Sequence, residues 1–170
     1  LCHNISPNQI LALTFTNKAA LDMRSRAQLL VNNLGINANG LTIMTFHSFA
    51  ARLLRIYGDP VLSSKDFTIC DRAERLQLIK QSVVDLNLNT SNFPLNSVGA
   101  TISSAKNELI GSEAYTENAI DFYTKSIGKI YKKYDSLLRE SNALDFDDLL
   151  VKSVELLEKC KSTREKISTR

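Results

Sequence analysis

Two short apolar runs, each followed by a change to helical periodicity, mark the first sixty residues of the chain. Ile10 to Leu13 carries no charge and predicts a strand buried on both faces of a parallel sheet. From Asn17, apolar residues recur every three or four positions, which predicts a helix with one apolar face. The residues of this face are Ala20, Met23, Ala27, Leu30 and Leu34. Leu41 to Thr45 and the pattern after it repeat the same order of strand and helix.

The residues between the first strand and its helix are Phe15, Thr16, Asn17 and Lys18. Ligands of parallel sheets bind at the carboxyl ends of the strands, and a helix N-terminus favours phosphate. An exposed Phe15 there could stack on a nucleic-acid base. The alternative is that Phe15 belongs to the core and that Thr16 or Asn17 only caps the helix. These residues alone favour the core and cap interpretation, because helix caps and buried phenylalanines are common.

The second strand ends in a similar polar group, formed by Thr45, His47 and Ser48, with Phe46 between them. A lone histidine at a strand end is usually structural, and no second metal ligand accompanies it. Neighbours in sequence, such as His47 and Ser48, do not by themselves form a nucleophile and its base, so the pattern does not favour a hydrolase of that kind.

The middle of the chain is predicted to be helical. Asp71 and Glu74 predict a capping box before a helix whose apolar face is Ala73, Leu76, Ile79, Val83 and Leu86. After a polar loop at 87–96, Asn96 or Ser97 is expected to cap the next helix, and Gly111 to end it. A short helix is expected at 112–119. The longest predicted helix runs from Asp121 to about residue 140, with an apolar face of Ile127, Ile130, Tyr134, Leu137 and Leu138.

One flank of this longest helix carries four lysines, Lys125, Lys129, Lys132 and Lys133. Such a flank could follow a phosphate backbone. On sequence alone we prefer the alternative, a solvated face whose lysines are partly paired with Asp121 and Asp135.

An acidic cluster, Asp145, Asp147 and Asp148, lies near the end of the chain. Three carboxylates could hold Mg²⁺. We prefer a structural role, in which Asp145 is the N-cap of a helix with an apolar face at Phe146, Leu149, Leu150, Val154 and Leu157.

Three segments together resemble superfamily 1 DNA helicases of the UvrD, Rep and PcrA type. They are Thr14 to Ala20, Thr45 to Ala50 and Leu144 to Leu150, which resemble the motifs of that family in order and approximate spacing. The resemblance implies an α/β, mostly helical fold, a fragment of a RecA-like P-loop NTPase domain with an inserted helical subdomain. It implies a partial RecA-like domain at 1–57, the inserted subdomain, often called 1B, at 58–142, and a helix returning to the RecA-like domain at 143–170.

The same resemblance implies that the parent protein is an ATP-dependent helicase of 3′ to 5′ polarity, which uses ATP and Mg²⁺. Single-stranded DNA would be contacted by Phe15, Thr16, Asn17, Lys18, Thr45, His47 and Ser48. Duplex DNA at a fork would be contacted by Lys125 and Lys129, and Lys106 and Asn107 are further candidates. This chain lacks the G-x-x-x-x-G-K-[ST] loop and an apolar strand ending in Asp-Glu, so we expect an internal fragment without ATPase activity or a cofactor of its own.

Composition adds little to these expectations. With 44% hydrophobic and 23% charged residues the chain is neither disordered nor membrane-spanning, and a net charge of +3 is compatible with DNA without requiring it. Three distant cysteines favour reduced thiols and a cytoplasmic protein. Exposed apolar surface around an incomplete sheet could drive dimerisation.

Two alternatives remain: a protein-interaction module of a helicase, or part of a helicase-nuclease of the AddA or RecB kind.

Overall fold

The computed structural model describes residues 5–33, 35 and 40–168. After a short 3-10 turn at Pro7–Gln9, the elements in chain order are β1 Leu11–Thr14, α1 Asn17–Asn33, β2 Thr42–Thr45, α2 Phe46–Tyr57, β3 Thr68–Ile69, α3 Arg72–Asp85, α4 Leu95–Asn107, α5 Ser112–Glu117, α6 Phe122–Glu140, β4 Ala143–Leu144, α7 Phe146–Lys159 and α8 Lys161–Ser168. Helices dominate the described residues, and two small parallel sheets accompany them.

The chain divides into two compact units. Leu1–Val61 and Ser153–Arg170 form the first, which we call the sheet unit, and Leu62–Lys152 form the second, the helical unit. The helical unit therefore ends later in the chain than the predicted subdomain at 58–142. The reason lies in the beginning of α7, where Asp145 and Asp148 bind a lysine of α4.

The strands of the sheet unit pair in parallel, from Leu11 opposite Thr42 to Thr14 opposite Thr45, and this part of the prediction is confirmed. The predicted burial on both faces is wrong, because Leu11 is 43% exposed and Ala12 and Leu13 are only partly buried. Within the described residues this sheet has two strands, so each strand lacks a neighbour on one side.

Helix α1 also buries less than its sequence predicts. Ala20 and Val31 are buried, whereas Met23 and Leu30 are exposed. Leu34, the last residue of the predicted apolar face, lies outside the described residues. The Arg24 guanidinium donates a hydrogen bond of 2.7 Å to the carbonyl of Ile43 in β2, which joins this helix to the sheet.

The helical unit has a closed core. The predicted face of α6 is confirmed, since all five of its apolar residues are buried. All of them except Leu137 share one core cluster with apolar residues of α3 and α4, among them Ile79, Val83, Val98 and Ile102, each 0% exposed. Gly128 of α6 allows α5 to approach closely, because an added Cβ would lie 2.6 Å from Thr116 Oγ1.

Helix boundaries confirm some of the predicted caps and correct others. Asp71 accepts hydrogen bonds from the N–H groups of Ala73 and Glu74, and the Glu74 carboxylate accepts one from Asp71 N–H, so the capping box is confirmed. Helix α4 instead begins just after Pro94, so neither Asn96 nor Ser97 caps it. It ends at Asn107, and Gly111 is the N-cap of α5 rather than the end of α4.

Two short strands near the ends of the helical unit, β3 and β4, form a second parallel pair, with Thr68 opposite Ala143 and Ile69 opposite Leu144. The sequence did not predict these two-residue strands. Helix α7 was predicted, but its buried residues include Leu149 and Leu156, whereas Val154 and Phe146 are exposed, so the predicted apolar face is shifted.

Candidate nucleic-acid interface

Two phenylalanine rings lie together at the carboxyl edge of the sheet unit. Thr14 and Thr45 are paired across β1 and β2, so the residues after them, Phe15 and Phe46, leave the sheet at the same edge. Their ring centroids are 5.2 Å apart and the rings are inclined by 39°. Phe15 is 87% exposed, so the alternative that it belongs to the core is wrong.

The turn after β1 is shaped by threonines. Thr16 Oγ1 accepts a 3.1 Å hydrogen bond from the Ala19 N–H and so caps α1, and the Thr14 hydroxyl donates a 3.1 Å bond to the Thr16 carbonyl. Asn17 and Lys18 are the first helical residues, and both are exposed. The first turn of α1 contains no acidic residue, so the positive end of the helix dipole is not opposed there.

The turn after β2 is built in a similar way. Thr45 is buried; its Oγ1 accepts a hydrogen bond from Ser48 N–H at 3.2 Å and donates one to Ser48 Oγ at 2.9 Å. Both hydrogen bonds of this hydroxyl go to Ser48, so Thr45 holds the turn in place and thereby positions His47 and Ser48. Ser48 is exposed and His47 half-buried.

Phe46 is a site residue that was not predicted from the sequence. It is 39% exposed and extends the aromatic surface that begins with Phe15. The signal was present, because Phe46 follows β2 as Phe15 follows β1.

Three of the four lysines in the predicted flank of α6 are exposed. These are Lys125, Lys129 and Lys132, and we call them the α6 lysine face. Lys133 forms an ion pair with Asp85 at 3.1 Å. The predicted partners of the flank are engaged elsewhere: Asp121 caps α6 by accepting from Thr124 N–H, and Asp135 lies 3.9 Å from the Lys106 ammonium. The prediction that they pair with these lysines is therefore wrong.

The predicted contact between Lys106 and DNA is wrong. The lysine side chain is only 3% exposed, and its ammonium is 2.9 Å from Asp145 Oδ2 and 2.7 Å from Asp148 Oδ1. It lies one helical turn after Ile102, on the face of α4 that packs into the helical unit. It cannot contact DNA while this arrangement holds. Asn107 is exposed, and its contact with DNA stays a prediction.

The carboxylates around Lys106 also organise the start of α7. Asp145 Oδ1 accepts from the Asp148 N–H at 2.8 Å, and Asp148 Oδ2 accepts from the Asp145 N–H at 3.3 Å. The predicted cap is thus confirmed, but Asp145 additionally accepts a 2.7 Å bond from the Tyr134 hydroxyl. Asp147 accepts from Ser103 and pairs with Arg75. Among the residues that the structure describes, no group of three or more His, Cys, Asp or Glu side chains is arranged to hold a metal.

Burial and charge act together on the pKa values of this cluster. Burial alone would lower the pKa of Lys106, but the negative charges of Asp148, Asp145 and Asp135 raise it above its usual value. Burial raises the pKa of Asp148 to about 6 despite the attraction of Lys106, and the charge of Asp145 acts in the same direction. Burial opposes ionisation of Asp145 as well, but Lys106 and the hydrogen bonds from Asp148 and Tyr134 lower its pKa.

Comparison with known proteins gives consistent results. The family described as UvrD/REP helicase N-terminal domain matches residues 1–170. The ATP-dependent DNA helicase PcrA of Bacillus subtilis is 37% identical over 156 residues, which are 92% of this chain and 21% of that protein. The PcrA proteins of Leuconostoc citreum and Staphylococcus epidermidis are 36% and 38% identical, over 91% and 95% of this chain. The chain spans 20–22% of the length of these relatives. No helix among the described residues is long and apolar enough to cross a membrane.

Proposed function

Because the chain belongs to the UvrD/REP helicase N-terminal domain family, we propose that it supplies DNA-binding surfaces of an ATP-dependent helicase that moves 3′ to 5′ along single-stranded DNA. In this proposal the sheet unit is part of a RecA-like domain, and the helical unit is a subdomain that contacts the duplex ahead of it. The relatives named PcrA are described as ATP-dependent DNA helicases, which is the source of the proposed activity.

The observation that carries the proposal is the exposed ring of Phe15 beside Phe46 at the carboxyl edge of two parallel strands. A large aromatic ring in water has a free energy cost that stacking on a base removes. Every base has a flat face, so stacking holds a strand whatever its sequence. A protein that moves along DNA needs contacts of this kind.

Polar groups around the two rings would hold the backbone of the same strand. Asn17 and Lys18 at the start of α1, and His47 and Ser48 at the start of α2, can donate hydrogen bonds to phosphates, while Thr16 and Thr45 fix the two turns. Phosphate contacts position a strand without reading its sequence. The proposed site therefore binds single-stranded DNA in a salt-sensitive, sequence-tolerant way.

Lys125 and Lys129 of the α6 lysine face are the proposed contacts to duplex DNA, with Asn107 as a further candidate. Both lysines are exposed and form no ion pair among the described residues. Each lysine that neutralises a phosphate releases a counterion and steepens the salt dependence of binding.

ATP and Mg²⁺ would be bound by parts of the helicase outside this sequence, which contains no G-x-x-x-x-G-K-[ST] loop. We propose accordingly that the chain alone does not hydrolyse ATP. Reproducible hydrolysis with one site per chain would contradict this proposal.

The test is a titration of fluorescently labelled oligothymidine with the wild-type chain and with Phe15→Ala. Loss of one stacked base is expected to weaken binding about five-fold or more. Ile56→Ala is the matched control, because Ile56 is an exposed apolar residue of the same unit. Equal binding by all three proteins would overturn the proposed strand site.

Lys129→Glu and Lys80→Glu give a second matched pair, because both lysines are exposed and both changes alter the net charge equally. Lys129→Glu should weaken binding of blunt duplex and make the salt dependence shallower, with the magnitude of the slope of log K against log salt reduced by about one unit. Lys80→Glu should have a smaller effect. Equal effects would mean that net charge, rather than the α6 lysine face, governs binding.

Exposed apolar residues of the sheet unit support a second proposal, self-association of the isolated chain. Leu21, Leu29 and Leu30 are each more than 60% exposed on α1. Sedimentation at several protein concentrations tests it: a mass that rises with concentration and falls in Leu29→Glu/Leu30→Glu supports a dimer through this surface. Dimers that persist in moderate salt, together with no DNA binding, would favour the protein-interaction alternative.

A further inference from the structure

The α6 lysine face continues into an exposed aromatic residue. Phe122, the first residue of α6, is 77% exposed. It precedes Lys125, Lys129 and Lys132 by three, seven and ten positions, so all four side chains lie on one side of the helix. At 1.5 Å per residue they extend over about 15 Å.

The position of Phe122 is fixed by the residues on either side of it. Asp121 caps the helix by accepting a 2.9 Å hydrogen bond from Thr124 N–H. Tyr123 stacks on the buried ring of Phe93, with centroids 5.3 Å apart and the rings inclined by 10°. The first turn of α6 is therefore anchored, and the exposed ring of Phe122 is held on an ordered element.

The charges around this row favour an anionic partner. Lys125, Lys129 and Lys132 form no ion pair among the described residues, and the neighbouring Lys133 is neutralised by Asp85. The carboxylate of Asp121 is at the opposite end of the row from Lys132 and is occupied by the helix cap. Lysines spaced along one helix face suit successive phosphates of a strand.

We propose that Phe122 stacks on an unpaired base of a DNA strand whose adjoining phosphates lie along Lys125, Lys129 and Lys132. A base inside a duplex is covered on both faces by its neighbours, so the ring can use only a base at or beyond the end of the paired region. The inference rests on the proposed function, in which this face contacts DNA. It adds a second aromatic site, separate from Phe15, that distinguishes an open strand end from uninterrupted duplex.

The probes for the test are a short duplex with a thymidine overhang and the same duplex with an abasic overhang. They carry the same phosphates and differ only in the bases. Measurements are made in Phe15→Ala, which removes the ring of the sheet unit that is proposed to stack on a base. This variant should still bind the thymidine overhang about five-fold more tightly than the abasic one, and adding Phe122→Ala should remove that preference.

Two further variants serve as controls. Phe122→Tyr keeps the ring and should keep the preference, and Val84→Ala, at another exposed apolar residue of the helical unit, should not change it. Because Phe122 is mostly exposed, Phe122→Ala should melt at the same temperature as the parent chain.

The inference is overturned if Phe15→Ala has no preference for bases, if the preference survives Phe122→Ala, or if no variant binds either probe at low salt. Failure of the proposed function gives a different result. If Phe15→Ala binds oligothymidine as well as wild type does, the strand site of the sheet unit is wrong, whatever Phe122 does. If Lys129→Glu weakens blunt duplex but Phe122→Ala changes nothing, the duplex contact stands and the second aromatic site does not.

Discussion

The sheet unit and the helical unit differ in how completely they bury their apolar residues. In the helical unit, Ile79, Ile102, Ile127 and Ile130 are all 0% exposed, and even a lysine has its charge balanced inside. In the sheet unit, apolar residues of α1 and β1 remain in water. The difference shows which part of the chain carries its own stability. The helical unit has the closed core of an independent folding unit, whereas the sheet unit presents surfaces that further strands or partners would cover.

Among changes to charged residues, the largest expected effect is that of Asp145→Ala. Removing this carboxylate leaves Lys106 in the interior with less compensation and removes an acceptor of the Tyr134 hydroxyl. The free energy of unfolding should fall by about 3 kcal/mol, the lower end of the cost of breaking a buried ion pair, since Asp148 remains. Urea unfolding followed by circular dichroism measures this change, and DNA affinity should not change in the fraction that is folded.

Asp71→Ala is the matched control for that change, because Asp71 is also an N-cap but is exposed. Its loss should cost about 1 kcal/mol. Equal losses for the two variants would mean that the cap alone, and not the buried ion pair, determines the effect of Asp145.

A smaller effect is expected for Gly128→Ala. The new methyl group would contact Thr116, where the Oγ1 atom lies 2.6 Å and the Cα atom 3.1 Å from the added Cβ. Overpacking of this kind costs about 1–3 kcal/mol, and the higher helix propensity of alanine offsets part of it. Thermal unfolding should show the loss. Gly111→Ala is the control, since an added Cβ there has no atom within 4 Å.

The pH dependence of the free energy of unfolding should reflect the raised pKa of Asp148. Its pKa is about 6 in the folded chain, against an ordinary value of 3.8. Between these values the folded state binds more protons than the unfolded state, so the contribution of Asp148 to stability falls as pH rises from about 4 to about 6. Urea unfolding at several pH values measures the free energy of unfolding of wild type minus that of Asp148→Asn. This quantity should decrease as pH rises over the window. A difference that is constant from pH 4 to 6 would contradict the raised pKa.

The smallest effect is expected in the sheet unit. Leu30 is 64% exposed, so Leu30→Ala should change the stability of the monomer by no more than about 0.5 kcal/mol. Ile79→Ala in the closed core should cost about 2–5 kcal/mol. Comparing the two in urea unfolding sharpens the contrast between the units. A cost above 1 kcal/mol for Leu30→Ala at low protein concentration would show that α1 is covered in solution.

The sequence predicted regular features better than long-range ones. The apolar face of α6 repeats over five buried residues, so its periodicity was sufficient. The two strand ends were predictable because strand, Thr-Phe and helix occur twice in the same order. Exposure of Phe15 was not predictable from these residues, because buried phenylalanines are common and the local pattern therefore favoured the core.

Lys106 could not be assigned from local pattern. Its partner Asp145 lies 39 positions away in sequence, and only packing of α4 against the start of α7 brings them together. Likewise β3 and β4 have two residues each, too few for an alternating pattern to appear. Where a contact depends on two distant segments, neither segment contains the signal.

The pairing of β3 with β4 has a consequence for how this architecture could be altered. Neighbouring strands lie about 4.8 Å apart, so the chain enters this segment through β3 and leaves it through β4 at nearby points, at opposite ends of a parallel pair only two residues long. A module with adjacent ends can be transplanted into a surface loop of an unrelated host without stretching the host backbone. Residues 68–148, which include Asp145 and Asp148 as the partners of Lys106, would be the segment to graft. The short second sheet thus holds the two ends of this segment close together, which is the property that a graft requires.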